Sequence, residues 1–288
     1  MITSLEKLKK LSDKKNCNDK SCKEELRVCI GSSCLALGAK TLQKELTSQI
    51  KNNDLQDSCK VKGVGCNGLC ANGTLVSHYN SALQKETLYE KITTSDVDEL
   101  VNSIKNSTKL KNKLCDTTQA FFTKQFKIVL ENAGYIDPND IEDYIAHNGY
   151  IALFTALEEK TPQEVIDEIK ISGLRGRGGG GYPTGLKWET VSKVQSNQKY
   201  IICNGDEGDP GAFMDRAVME ADPHRIIEGM SIAGYACGAS QGYIYVRAEY
   251  PTAVEKLQKA IKQAKKLGIL GDNIANSSFS FNIEVRLG

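Results

Sequence analysis

The spacing of apolar residues changes several times along the chain, and each change marks an element. Leu5, Leu8 and Leu11 recur at helical spacing in a lysine-rich stretch and predict an N-terminal helix within residues 1–26. A short apolar run at 27–30 ends in a Gly-Ser-Ser turn. Residues 36–50 then read as a helix, with Leu37, Leu42 and Leu46 near a helical period. A second apolar strand at 61–64 leads into a glycine-rich loop around Cys66, and 75–76 and 88–89 are weaker strand candidates. This pattern fits a small α/β unit over residues 1–92 with cysteines on its loops. Residues 93–118 are polar and read as a linker, with a helix at 95–104 capped by Ser95 and carrying Asp96 and Asp98 in its first turn.

From residue 119 onward the texture is that of a packed α/β domain running to 288. Helices are predicted at 140–157, 162–171, 222–237 and 251–267; Thr161 caps the second, and Pro251 and Gly268 bracket the last. Strands are predicted at 199–203, 242–248 and 279–285, and their alternation with helices argues for a largely parallel sheet.

Composition narrows the function. The 288 residues are 40% hydrophobic and 25% charged, an ordinary globular balance. A formal net charge of +1 gives no electrostatic case for a nucleic-acid partner or an anionic membrane. The most apolar stretch, 226–239, is broken by Glu228 and glycines and falls short of the ~20 residues a membrane span needs, so no membrane insertion is expected. With no signal-peptide core at the N-terminus, a cytoplasmic location is expected, where grouped cysteines point to metal or redox chemistry before disulfides.

Four of the ten cysteines are grouped in glycine- and serine-rich surroundings. Cys29 and Cys34 have four residues between them, Cys66 and Cys70 three, and about thirty residues separate the pairs. Such loops turn backbone N–H groups toward sulfur, which a thiolate cluster needs to hold its charge. Four thiolates on two loops can hold a [2Fe-2S] cluster, and structural zinc is the rival on spacing alone. Cys17 and Cys22 stand in a setting without glycine and read as spare thiols or a second metal pair. Cys203 and Cys237, on apolar elements, read as small buried hydrophobes.

Two further loops carry chemistry. Residues 173–185 hold seven glycines in thirteen positions, with Arg175, Arg177, Tyr182 and Lys187 in or beside them. Glycines allow close backbone approach and consecutive N–H groups can cradle a phosphate, whereas a flexible linker would be richer in serine and poorer in arginine. The ending of a Walker sequence is absent, and a helix rather than a strand precedes the loop. The second loop, at 204–216, follows a strand and offers Asn204, Asp206, Glu207 and Asp209. Ribityl or ribose hydroxyls, a divalent cation or a solvated turn all suit that set.

The segments Val28-Cys29-Ile30-Gly31-Ser32-Ser33-Cys34 and Gly65-Cys66-Asn67-Gly68-Leu69-Cys70 resemble the thioredoxin-like [2Fe-2S] ferredoxin family. That resemblance implies Cys29, Cys34, Cys66 and Cys70 as cluster ligands. The glycine loop, the Asn204-Gly205-Asp206-Glu207-Gly208-Asp209-Pro210-Gly211 loop, Gly134 to Pro138, His147 to Tyr150 and Ile227 to Met230 resemble the NADH-oxidising flavoprotein subunit of respiratory complex I. The form of the acidic loop and the fused N-terminal domain look more like the diaphorase subunits of NAD(P)-linked hydrogenases and formate dehydrogenases. The resemblance covers residues 25–288.

It implies an α/β chain: a thioredoxin-like [2Fe-2S] domain followed by a partial Rossmann-like domain binding FMN and NAD(H). Gly176, Arg177, Gly178, Gly179, Gly180, Gly181 and Gly185 would line the nucleotide site, with Tyr182 stacking and Lys187 supplying charge. Asn204, Asp206 and Glu207 would hold FMN. The implied activity is NAD(P)H oxidation through FMN to iron-sulfur clusters, with no catalytic side chain because the cofactor carries the hydride chemistry. Partners would be other iron-sulfur subunits of a hydrogenase, a formate dehydrogenase or a complex I-like assembly. The resemblance also implies further segments after Gly288, including a [4Fe-4S] domain, so the chain is expected to be C-terminally truncated with an incomplete flavin pocket. The alternative is a [2Fe-2S] electron-transfer module beside a flavin half that does not function.

Overall fold

The computed structural model describes residues 1–20, 22–209 and 211–288. Ser21, in the stretch expected to be helical, and Pro210, in the acidic loop, lie outside the described residues. Two compact units form: one from Lys14–Asp143 with Ala217–Asp222, the other from Met1–Asp13, Tyr144–Arg216 and Pro223–Gly288. Helix α1 covers Leu5–Lys20 and buries Leu5 and Leu8, as their spacing predicts.

The Lys14–Asp143 unit is built on a four-stranded sheet. Strands β1 (Glu24–Cys29), β2 (Cys59–Val64), β3 (Val76–Asn80) and β4 (Lys85–Tyr89) lie in the order β2-β1-β3-β4. β1 and β2 are parallel, and β3 runs antiparallel to both of its neighbours. This is the thioredoxin-like arrangement that the resemblance implies. Helices α2 (Ser32–Ala36) and α3 (Ala39–Asn52) join β1 to β2, and α4 (Val97–Lys105) follows β4. The short helices α5 (Ala120–Thr123) and α6 (Ile141–Ala146) complete the run to Asp143.

One continuous helix was expected over 36–50, and the chain divides it. Gly38 takes φ +92°, a left-handed conformation that separates α2 from α3 and suits glycine. Leu37 is therefore 60% exposed, whereas Ala39, Leu42, Leu46 and Ile50 share the buried face of α3. They pack with Leu26 and Val28 of β1, Val76, Tyr89 and Leu100 in one apolar core.

The opposite face of β1 is charged. Arg27 Nε donates to Glu25 Oε1 at 2.7 Å, and Lys60 and Lys62 reach the same carboxylate at 3.0 and 3.1 Å. The parallel register sets Glu25 opposite Lys60 and Arg27 opposite Lys62, so the Glu25 carboxylate gathers three cations and offsets the repulsion between Arg27 and Lys62. Lys62 also bridges to the buried Asp143 at 3.1 Å, and the Arg27 guanidinium lies 4.8 Å from the Tyr79 ring centre. Burial pushes the Glu25 carboxyl up, but Lys62, Arg27 and Lys60 together outweigh it and hold the group down at about 2.

The other unit carries a wholly parallel three-stranded sheet, β5 (Tyr200–Gly205), β6 (Gln241–Val246) and β7 (Asn282–Leu287), in that order. Its helices are α7 (Ile151–Glu159), α8 (Pro162–Ser172), α9 (Thr184–Lys193), α10 (Met214–Ala221), α11 (Pro223–Cys237) and α12 (Pro251–Leu267). Residues 217–221 of α10 count with the Lys14–Asp143 unit. α11 lies tight on the sheet: a Cβ at Gly242 of β6 would stand 2.9 Å from Met230 Cε of α11. The helix expected over 140–157 is interrupted, because Asn148 and Tyr150 take positive φ. The break is held from α11. Glu228 accepts from the N–H groups of Tyr150 and Leu153 at 2.8 and 3.2 Å and from the Tyr144 hydroxyl at 2.6 Å. It caps the start of α7 from another element.

Two outcomes follow. Leu46→Ala should cost about 2–5 kcal/mol and Leu37→Ala less than about 0.5 kcal/mol in denaturant unfolding of the Lys14–Asp143 unit, since one is buried in the core and the other faces solvent. The lowered Glu25 carboxyl stabilises the fold above the ordinary carboxylate range, and that contribution is lost as pH falls from about 4.5 toward about 2. An acid titration of Glu25→Gln should therefore show a shallower loss of stability over that window; an unchanged slope would contradict the ion-pair assignment.

Candidate thiol site and nucleotide loops

Cys29 ends β1, Cys34 lies in α2, and Cys66 and Cys70 stand on the loop after β2. The parallel pairing of β1 with β2 brings the ends of those strands side by side, which carries both cysteine loops to one edge of the sheet. Cys66 Sγ and Cys70 Sγ are 3.4 Å apart. The Cys29 thiol is within hydrogen-bond reach of both Cys34 and Cys66; those bonds and burial push it up. The same bonds pull Cys34 and Cys66 down, Cys66 to about 6.

Other donors converge on the sulfurs. The Gly68 N–H donates to Cys66 Sγ at 3.2 Å, the Leu75 N–H to Cys34, and the Ser33 hydroxyl to Cys70. These donors stabilise thiolate, the form that binds metal. Room for the sulfurs depends on two glycines. A Cβ at Gly31 would lie 2.9 Å from Cys66 Cβ, and one at Gly73 would lie 3.1 Å from Cys34 Sγ. Among the described residues, no three His, Cys, Asp or Glu side chains form a group arranged for a single metal ion. The four thiols are instead joined as a chain of sulfur–sulfur contacts. Four soft sulfur donors with N–H and O–H groups turned toward them fit an iron-sulfur cluster.

Cys59 is buried at the start of β2, and burial with the nearby Glu24 raises its thiol to about 12. Burial likewise raises Cys203 and Cys237 to about 11. Cys237 is buried, as expected of a small hydrophobe; Cys203 is partly exposed.

The glycine loop lies between α8 and α9. Arg175 and Pro183 form an antiparallel bridge, Gly176 N–H donates to the Tyr182 carbonyl at 2.9 Å, and Arg175 Nε donates to the Gly181 carbonyl at 2.6 Å. The bridge closes a small hairpin whose tip, Gly178, Gly179 and Gly180, has nothing within 4 Å of where a Cβ would stand. Gly179 and Gly181 take φ of +91° and +57°. Arg177 is exposed beside the tip, Tyr182 is 54% exposed, and Lys187 lies in the first turn of α9. An open glycine tip before a helix N-terminus, with cations beside it, is a favourable setting for phosphate. Gly185 serves packing: a Cβ there would meet the Lys170 backbone N at 2.7 Å.

Asn204 lies at the carboxyl end of β5, where its Oδ1 accepts from the Asp206 N–H at 3.0 Å. Asp206 pairs with Arg247 at 3.8 Å and is half exposed. Glu207 differs from both. It is 7% exposed, and its two oxygens accept from the Asp215 and Arg216 N–H groups at 3.1 and 3.2 Å. It caps α10, while its carbonyl accepts from Arg247 Nη1 at 2.8 Å. The structure thus places Asn204 and Asp206 on the open side of the loop and turns the Glu207 carboxylate inward.

Sequence reasoning missed α9, α10 and one buried carboxylate. Glu220, on the last turn of α10, accepts from the Ser32 N–H at 2.9 Å and from the Ser32 hydroxyl. The partners are 188 residues apart, and no local period could announce the contact.

Comparison with known proteins adds the relatives. Residues 169–288 match the family model described as the Nuo51 FMN-binding domain. The NADP-reducing hydrogenase subunit HndC of Solidesulfovibrio fructosivorans is 54% identical over 165 residues, 57% of this chain and 33% of that protein. An F-type subunit of the NADH-quinone oxidoreductase of Rhizobium meliloti (strain 1021) is 45% identical over 161 residues, 56% of this chain and 38% of that protein. An NAD+-reducing [NiFe]-hydrogenase in the air-oxidized state superposes with a TM-score of 0.43 at 20% identity, over 93% of this chain and 43% of its own. The chain therefore spans about a third of the length of the curated relatives it matches. No helix among the described residues is long and apolar enough to cross a membrane.

Glu207→Ala should cost about 1 kcal/mol through loss of the α10 cap, and Glu207→Gln less, read as a fall in thermal midpoint. An unchanged midpoint in Glu207→Ala would show that the carboxylate is not held by the helix.

Proposed function

We propose, from the match of residues 169–288 to the Nuo51 FMN-binding domain model, that this chain is an electron-transfer oxidoreductase subunit. It would take electrons from NAD(P)H through FMN to iron-sulfur clusters, within an assembly of further iron-sulfur subunits. The observation that carries this reading is the union in one chain of a four-thiol site with a Nuo51-type glycine loop.

Cys29, Cys34, Cys66 and Cys70 would hold a [2Fe-2S] cluster, which supplies one-electron transfer when bound. The N–H groups of Gly68 and Leu75 and the Ser33 hydroxyl stabilise negative charge on sulfur, and Gly31 and Gly73 keep side chains out of its volume. FMN, when bound, exchanges hydride for single electrons. Gly176, Arg177, Gly178, Gly179, Gly180 and Gly181 would offer N–H groups and charge to a phosphate, with Tyr182 giving a stacking face and Lys187 a cation. Asn204 and Asp206 would accept from ligand hydroxyls. Glu207 would act through the loop it fixes, because its oxygens are engaged at α10.

A second reading has one observation in its favour. The glycine tip is exposed along its length, so it offers backbone to solvent on every side. A [2Fe-2S] electron-transfer module beside a flavin half that does not bind FMN would show this.

Anaerobic purification with iron, sulfide and flavin assays distinguishes the readings. About two irons and two acid-labile sulfides per chain are expected for the cluster. Cys70→Ser should lower both, and zinc without sulfide would overturn the cluster. FMN should bind with quenched flavin fluorescence and be reduced by NADH or NADPH. A chain with cluster but no FMN binding would leave only the electron-transfer module.

A further inference from the structure

Both cysteine loops of the Lys14–Asp143 unit touch one short segment from much later in the chain. Met219, Glu220, Ala221 and Asp222 are buried, at 1%, 3%, 0% and 0% exposure. Glu220 holds the first loop: one carboxylate oxygen accepts from the Ser32 N–H at 2.9 Å and the other from the Ser32 hydroxyl. Ser32 lies between Cys29 and Cys34, beside the Ser33 whose hydroxyl donates to Cys70. Ala221 meets the second loop, since a Cβ at Gly65, the neighbour of Cys66, would stand 2.5 Å from Ala221 Cβ and 2.7 Å from its Cα. Asp222 Oδ2 accepts from Asn132 Nδ2 at 2.8 Å. Two residues beyond Asn132, Gly134 abuts Asn67, which follows Cys66: a Cβ there would lie 2.1 Å from Asn67 Oδ1. One apolar contact and one carboxylate on successive residues thus fix two loops that have no ladder between them.

We propose that Glu220 is a positioning residue for the four-cysteine site, holding the Cys29–Cys34 loop through Ser32 and placing a negative charge beside the cluster. This rests on the cluster reading above. Two effects follow and can be separated. The hydrogen bonds fix where Cys29 and Cys34 stand, so they govern retention of the cluster. The charge disfavours the reduced cluster, which is the more negative form, so it keeps the reduction potential low.

The variants are Glu220→Gln, which keeps acceptor capacity without the charge, and Glu220→Ala, which removes both. Asn132→Ala serves as a control, since it loosens the same segment without touching the carboxylate. Iron and sulfide content, the rate of iron release to a chelator and the midpoint potential by EPR-monitored titration are measured on the full chain. Glu220→Gln should retain its iron and shift the reduction equilibrium toward the reduced form by about tenfold, or about 59 mV for a one-electron couple. Glu220→Ala should release iron at least about fivefold faster than the native chain, with far-UV circular dichroism unchanged. Asn132→Ala should leave the potential where it is. Native release rate and native potential in Glu220→Ala would overturn the proposal while leaving the cluster reading intact. A potential shifted as far by Asn132→Ala would reduce Glu220 to a structural role. A native chain with no iron or sulfide would overturn the cluster reading, and this one with it.

Discussion

Four sulfurs can face one another only if two loops approach to contact with no side chain between them. Each thiol brought close to another resists ionisation through its neighbour's charge, so the arrangement needs donors turned toward sulfur and fixed from outside. The Lys14–Asp143 unit meets both demands. Gly31 and Gly73 leave the space, while Gly68, Leu75 and Ser33 supply donors. The sheet beneath sets the separation, because the parallel pairing of β1 with β2 places the end of each strand beside the other. The core of α3 and α4 against β1, and the charged layer on its far side, hold the central strand from both faces.

Carboxylates used as caps recur in both units and give the fold much of its rigidity at loops. Glu207 closes the acidic loop on α10, Glu228 ends the break before α7, and Glu220 grips Ser32. In each case a buried carboxylate satisfies backbone N–H groups that a helix leaves without partners. Burial of such a group is costly unless it is fully hydrogen-bonded, so these residues tie down the loops they reach as well as the helices they cap. The glycine hairpin is the contrast: its tip carries no such anchor, and its shape comes from the Arg175–Pro183 bridge and the Arg175 side chain. An open backbone of this kind keeps its N–H groups available to a phosphate.

Elements whose signals are local were legible in the amino-acid pattern. Pro251 and Gly268 bound α12 where expected, Thr161 caps α8 through a capping box with Glu164, and the strands alternate with helices into a parallel sheet. The cysteine spacing put each pair on one short loop, while the union of the two pairs was implied by the resemblance and is made by the pairing of β1 with β2. Where a local signal was ambiguous, tertiary packing decided. Leu37 kept the helical period yet faces solvent, since Gly38 turns the chain before α3. The helix expected at 140–157 breaks where Glu228 offers its carboxylate to Tyr150 and Leu153. Only the folded chain could bring Glu220 to Ser32 across 188 residues, and only it could turn Glu207 from the open loop to the start of α10. The physical reason is the same in each case: periodicity records which side of an element is apolar, whereas a buried carboxylate takes its meaning from backbone N–H groups that folding brings to it.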